Sequence, residues 1–242
     1  MSNGYVGVAD FSDFDPNVAC DLVKSIVEAK TDFPELSINY IGSIGNQVTG
    51  LHDVIEQTQY EYYKWNGMSD DYAKQLAKYD ADKFIIQNKL TDTERTYAWS
   101  LQTGNSILEK FDGVAINNKY ASDYNCFLAE KQYDEQTKWA PIGCGTPKAC
   151  TDHELGHEID KLLDASNDTV INDLYTDVIE HHQSKDLLSG YSEKNVKEFI
   201  AEAYSEYKNN PAPREVSTAV YNRLIELRDQ KILQRVKKIH VR

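Results

Sequence analysis

The stretch TDHELGHEIDKLL, Thr151 to Leu163, places two histidines among several carboxylates in a chain with only six histidines. Upstream, GTPKAC supplies Thr146 as a helix cap and Pro147 for the first helical position, so the spacing predicts a helix running through the whole segment. At about 100° per residue, Leu155, Ile159, Leu162 and Leu163 share one side. His153, His157, Asp160 and Asp164 share a narrow arc on another. The helix therefore has a greasy face to bury and an ionisable face to use.

One turn separates His153 from His157, so both imidazoles can reach a single ion, with Glu154 beside them and free of ligation. This is the spacing of a zinc peptidase site. There, three protein ligands leave a fourth position for water, and a nearby carboxylate takes that water's proton. Gly156 lies on the same side, where a missing side chain lets substrate or another backbone approach closely. Glu198 and Glu202, one turn apart in KEFIAEAYSEY, are candidates to complete the set. Glu198 would be the third ligand, and Glu202 would accept the remaining ring N–H of a ligating histidine. Asn195 three residues before Glu198 also fits a helix cap pairing, and His181 and His182 compete for the third position.

Composition narrows the classes. A net charge of -13, from 39 acidic and 26 basic residues, argues against nucleic acid and membrane partners. Cys20, Cys126, Cys144 and Cys150 match no disulfide scaffold and no zinc-ribbon spacing, which suggests a reducing compartment. Cys144 and Cys150, just before the histidine helix, raise a thiol nucleophile or cysteine switch as a rival to the ordinary buried cysteine. The start MSNGYVGVADFSDF has no signal-peptide pattern and no apolar run approaches the roughly 20 residues of a membrane span, so a soluble cytoplasmic protein is expected. No nucleophile elbow, phosphate loop or dinucleotide fingerprint is present.

Along the chain, Asp15 and Pro16 open an amphipathic helix with Val18, Leu22, Ile26 and Val27 on one stripe. Leu36 to Gly42, RTYAWSLQ and GVAIN read as strands, and SDDYAKQLAKYDADKFI as a helix capped by Ser69. From Thr146 onward every periodic segment looks helical, with Asn209, Asn210, Pro211 and Pro213 breaking the last two helices apart. The expected fold is α+β in one domain, 1–242. It would have a strand-containing lobe over about 1–145, a helical metal-binding lobe over about 146–242, and the metal in the cleft between them. GVAIN, Gly113 to Asn117, is the expected edge strand to which an extended peptide adds.

HELGHEID followed by GYSEKNVKEFIAEAY resembles the catalytic lobe of the anthrax lethal factor-like metallopeptidases, a gluzincin group with the zincin fold. The shared features are the His-Glu-x-Gly-His-x-x-Asp block, the Glu-Phe-x-Ala-Glu-Ala-aromatic block, and a tyrosine seven residues before the first glutamate of the second block. The resemblance implies His153, His157 and Glu198 as zinc ligands, Glu154 as general base and Glu202 as a carboxylate behind the ligands. It also implies Tyr191 as the phenol that stabilises the oxyanion. Asp160 is either a support for His157 or simply solvated. NNKYASDY and WAPIGCGTPKACTDHELGH are similar to peptidase-like segments of phage minor head proteins, with the likeness covering roughly Gly113 to Ile239. The expectation is therefore a zinc endopeptidase acting on a peptide or protein, cytoplasmic or virion-associated, with phage virion proteins among its partners. Its rivals are a non-catalytic zinc-binding structural or interaction protein and a toxin-like effector that cuts one host protein.

Overall fold

A computed structural model describes residues 6–91, 96–180 and 184–240 of the chain. In order, the elements are β1 (Val8–Ala9), α1 (Pro16–Asp32), β2 (Tyr40–Ser43), α2 (Ile44–Trp65), α3 (Asp70–Gln87), β3 (Ala98–Leu101), β4 (Gly113–Ile116), α4 (Asn118–Ala121), α5 (Tyr124–Gln136), α6 (Pro147–Leu163), α7 (Thr169–Glu180), α8 (Ser184–Leu187), α9 (Val196–Asn209) and α10 (Glu215–His240). The fold is α+β and mostly helical, with one four-stranded mixed sheet. Among the described residues no helix is long and apolar enough to cross a membrane.

The chain divides into two compact units, and the division does not follow the expected boundary near residue 145. The helical unit takes Phe14–Ser37 as well as everything from Tyr120, whereas the sheet unit takes Val6–Asp13 and Ile38–Lys119. Helix α1 thus belongs with the helices of the second half of the chain.

In the sheet unit the strand order is β1-β2-β4-β3, parallel except for the antiparallel β3–β4 pair. GVAIN is therefore not the edge strand it was expected to be. β4 pairs with β2 on one side and β3 on the other, so its backbone groups are spent on the ladder and none remain for an added peptide strand. Gly113 sits at φ +147°, with the Tyr40 carbonyl directly where a Cβ would stand; the contact with β2 requires glycine there. Helices α2 and α3 form a hairpin in which Ala73, Ala77 and Ala81 are fully buried, and Leu51, Ile85, Leu90 and Leu108 make the core beneath.

The helical unit is built on α6. Thr146 caps it, its hydroxyl accepting from the Ala149 amide at 3.1 Å, and Pro147 occupies its first turn. Leu155 and Ile159 are fully buried, as the apolar stripe requires, and Leu163 nearly so. α1 packs on α6 through Val18, Leu22, Ile26 and Ala29, while Val27, placed on that stripe from the sequence, is 43% exposed. α9 packs on α6 as well, and buries Phe199, Ile200, Ala201, Ala203 and Tyr204; each large apolar side chain so buried contributes about 1.5–3 kcal/mol. A polar network ties these helices together. Lys148 Nζ meets Asp152 at 2.8 Å and Glu28 at 2.9 Å, Asn209 donates to Asp152 at 2.8 Å, and Tyr221 donates to Asp32 at 2.8 Å.

The contact that brings α6 and α9 together is at Gly156. A Cβ there would lie 2.7 Å from Ala201 Cα, inside any tolerable contact, so only glycine allows the two backbones this close. Gly156→Ala gains helix propensity by about 1 kcal/mol yet must push α9 away. The overpacking should win, with a net loss of about 1–3 kcal/mol in denaturant unfolding. Unchanged or increased stability would show that the approach at Gly156 is not a constraint.

Candidate metal centre

The three residues singled out as ligands converge. Glu198 Oε2 lies 3.1 Å from His153 Nε2 and 3.3 Å from His157 Nε2, and the two imidazole rings meet edge-on with centroids 4.9 Å apart. Each residue offers one ligand atom, and all three atoms lie within 4.8 Å of one another. The group could hold a metal ion. Glu198 Oε2 is buried and, despite these short distances, no N–H is aligned to bond it. Three polar atoms turned on one point with no aligned hydrogen bond are the arrangement a proton or a metal cation relieves.

Local structure explains the placement. His153 and His157 are one turn apart on α6, and Glu198 stands on the first turn of α9, opposite them. Asn195 does cap α9, its side chain accepting from the Lys197 and Glu198 amides at 3.0 and 3.1 Å. Capping uses the backbone of Glu198 and leaves its side chain for the site, so the two readings of Asn195–Glu198 hold together. One turn on, Glu202 brings Oε1 to 2.7 Å from His153 Nδ1. The approach is bent from the ideal N–H direction, but the carboxylate sits where it fixes which ring nitrogen faces the ion. His181 and His182, the competing ligands, lie outside the described residues.

Glu154 is buried beside the pair and takes part in no hydrogen bond or ion pair among the described residues. Tyr191 opens a 3₁₀ turn, Tyr191–Lys194, with its ring edge-on to His153 at 5.6 Å. The turn is more firmly held than a swinging loop. Gly190 and Tyr191 donate to the Lys138 and Trp139 carbonyls at 2.8 and 3.2 Å, and Ser192 bonds back to Ser189. Arg214, paired with the fully buried Glu206, also donates to the Asp186 and Leu188 carbonyls just before the turn. Burial pushes the Tyr191 phenol well up, and the Glu198, Glu154 and Glu202 charges push it further, so the hydroxyl is a neutral donor.

Asp160 does something other than the support considered for it: its carboxylate accepts the Ser166 amide at 2.6 Å and secures the turn that ends α6. Neither cysteine before α6 suits a nucleophile. Cys144 and Cys150 are buried, and burial pushes the Cys144 thiol up and Cys150 up to about 12, far from a reactive thiolate. Two residues at this site went unremarked in the sequence. Trp139 stands edge-on to Tyr191 with centroids 5.4 Å apart, and Lys194 Nζ sits 3.8 Å over the Tyr191 ring. Side chains three apart eclipse in a 3₁₀ turn, which puts Lys194 there; the sequence carries the spacing but not the turn type.

Charge sets the pH behaviour. Burial disfavours a charged His153, yet the Glu198 and Glu202 carboxylates outweigh it and push the imidazole up to about 10. The same contacts, against the opposing effect of burial, hold Glu198 well below the ordinary carboxylate range. A raised histidine stabilises the metal-free fold fully below its ordinary value of 6.5 and loses that contribution as pH climbs toward about 10. Melting temperatures of chelator-treated protein should therefore fall across this window, and His153→Gln should flatten the fall. A wild-type profile with no such decline would contradict the assignment.

Comparison with protein-family models, curated proteins and solved structures finds no match to this chain.

Proposed function

We propose that the chain is a zinc-dependent endopeptidase of zincin type. The observation that carries this is the convergence of His153 Nε2, His157 Nε2 and Glu198 Oε2 next to the buried Glu154. The separations of 3.1 and 3.3 Å from Glu198 Oε2 approach the roughly 3.3 Å edge of a tetrahedron with bonds near 2.0–2.1 Å, and two imidazoles with one carboxylate are a catalytic zinc donor set. When bound, the ion would supply Lewis-acid chemistry, making a water more acidic and a carbonyl more electrophilic.

The protein's own groups do the rest. His153, His157 and Glu198 would hold the ion through Nε2, Nε2 and Oε2. Glu202 orients His153 through Nδ1. Glu154 takes the proton of the attacking water and returns it to the leaving amine, which departs neutral. Tyr191, a neutral phenol against His153, donates to the oxygen on which negative charge collects. The motif resemblance gives the same roles. Phage virion proteins, or a single host protein for a toxin-like enzyme, are substrates that the resemblance raises and the site geometry does not choose between.

Two measurements test the reading. Metal analysis should find about one zinc per chain, lost together in His153→Ala, His157→Ala and Glu198→Ala. Full zinc in Glu198→Ala, with loss in a His181 or His182 variant, would move the third ligand elsewhere. Glu154→Gln should keep zinc and lose activity by about 10²–10⁴-fold, and Tyr191→Phe by about 10²-fold or more with stability unchanged. A protein that binds zinc yet cleaves no peptide would be a zinc-stabilised interaction module instead.

A further inference from the structure

Tryptophan occurs three times in the chain, and Trp139 is the one in the unit that carries the metal ligands. It is 43% exposed, although it belongs to a continuous aromatic contact with the site: Trp139 to Tyr191 at 5.4 Å, Tyr191 to His153 at 5.6 Å, both edge-on. The indole is not loosely attached. Its amide donates to the Asp134 carbonyl at 2.8 Å, its carbonyl accepts from Tyr191 at 3.2 Å, and Gly190 lies against its ring so closely that a Cβ would come within 3.2 Å. Lys194 adds a cation 6.0 Å from its centroid while sitting 3.8 Å over Tyr191. With Lys194 over Tyr191, Trp139 presents exposed aromatic surface along this wall.

An exposed, rigid indole is costly to leave in water and loses little entropy when something covers it, the property that makes tryptophan a binding anchor. Two ring contacts separate it from His153. An extended peptide advances about 3.3 Å per residue, so a substrate residue within about three of the cut bond can reach it.

We propose that Trp139 is the specificity-determining residue of this site, forming the wall on which a large apolar or aromatic side chain of the peptide packs, within about three residues of the bond that is cut. This rests on the peptidase reading above. The wall selects by burial rather than by charge, since Lys194, 6.0 Å from the indole centroid, is already engaged on the tyrosine face.

The test uses zinc-loaded protein and peptide sets identical except for Leu, Phe, Ala or Ser at each of three positions on either side of the cut. At one position kcat/KM should favour Leu or Phe over Ala by at least about tenfold, the range that burying a few methylenes gives. In Trp139→Ala that ratio should collapse to within about threefold, and Trp139→Phe should keep most of it, with zinc content equal to wild type in both. In the Glu154→Gln background, the uncut Leu peptide should shift tryptophan fluorescence and the Ala peptide should not; Trp139→Phe should remove the shift. Peptide cleavage with selectivity unchanged in Trp139→Ala would overturn this inference and leave the peptidase reading standing. Absence of cleavage on every peptide would overturn both.

Discussion

The site depends on one steric fact: α6 and α9 touch backbone to backbone at Gly156 and Ala201. A helix pair separated by ordinary side chains runs 8–10 Å apart, and a glutamate on one then meets the outer atoms of a histidine on the other at variable reach. Removing the side chain at Gly156 and keeping only a methyl at Ala201 shortens that gap. Glu198 and Glu202, three residues before and one residue after Ala201, then meet both nitrogens of His153. The ligand geometry is a consequence of packing, and Leu155, Ile159, Phe199 and Ile200, all fully buried, hold the packing in place.

Close packing has an electrostatic cost. Glu154, Glu198 and Glu202 crowd one small volume with two imidazoles, and carboxylates removed from water are tolerated only beside cations. Without a metal, the compensating charge must come from the histidines, and the raised affinity of His153 for its proton follows from that need. A metal ion bound there would replace the proton with a larger charge and return the imidazoles to the neutral form in which they ligate. A proton and a metal ion would therefore compete for the same place. Behind it lie the Lys131–Asp134 pair at 2.9 Å and the Arg214–Glu206 pair at 2.7 Å, and Lys131 also feels the Glu202 charge.

The wall of the site is held through backbone rather than through long side chains. Lys138 and Trp139 accept the amides of Gly190 and Tyr191, which couples the segment after α5 to the turn before α9. Tyr191, His153 and Trp139 consequently keep fixed edge-on contacts. Such preorganisation would suit the role proposed for Tyr191, since a donor already in position need not reorganise to meet developing charge.

Much of the helical unit was legible in the residue order because the signals are local. Caps and proline at Asp15–Pro16 and Thr146–Pro147, the apolar stripe of α6, and the one-turn spacings of His153 with His157 and Glu198 with Glu202 are fixed by helix geometry alone. Helix α2 is hard to read even though Ser43, Ile44, Val48 and Leu51 spell a cap and a stripe, because the strand immediately before it ends on the capping residue Ser43 itself. What the chain's order could not contain was pairing between distant segments. The strand GVAI reads the same at an edge or in the middle of a sheet, and only its neighbours on both sides made it central. Val27 and Ala29 are both compatible with a buried stripe; the partner helix chose Ala29. Likewise Asp160, the turn type that stacks Lys194 on Tyr191, and the seat of Trp139 were decided by tertiary contacts. The candidate ligands were written in local spacing, whereas their convergence on one point required two helices to meet at a glycine.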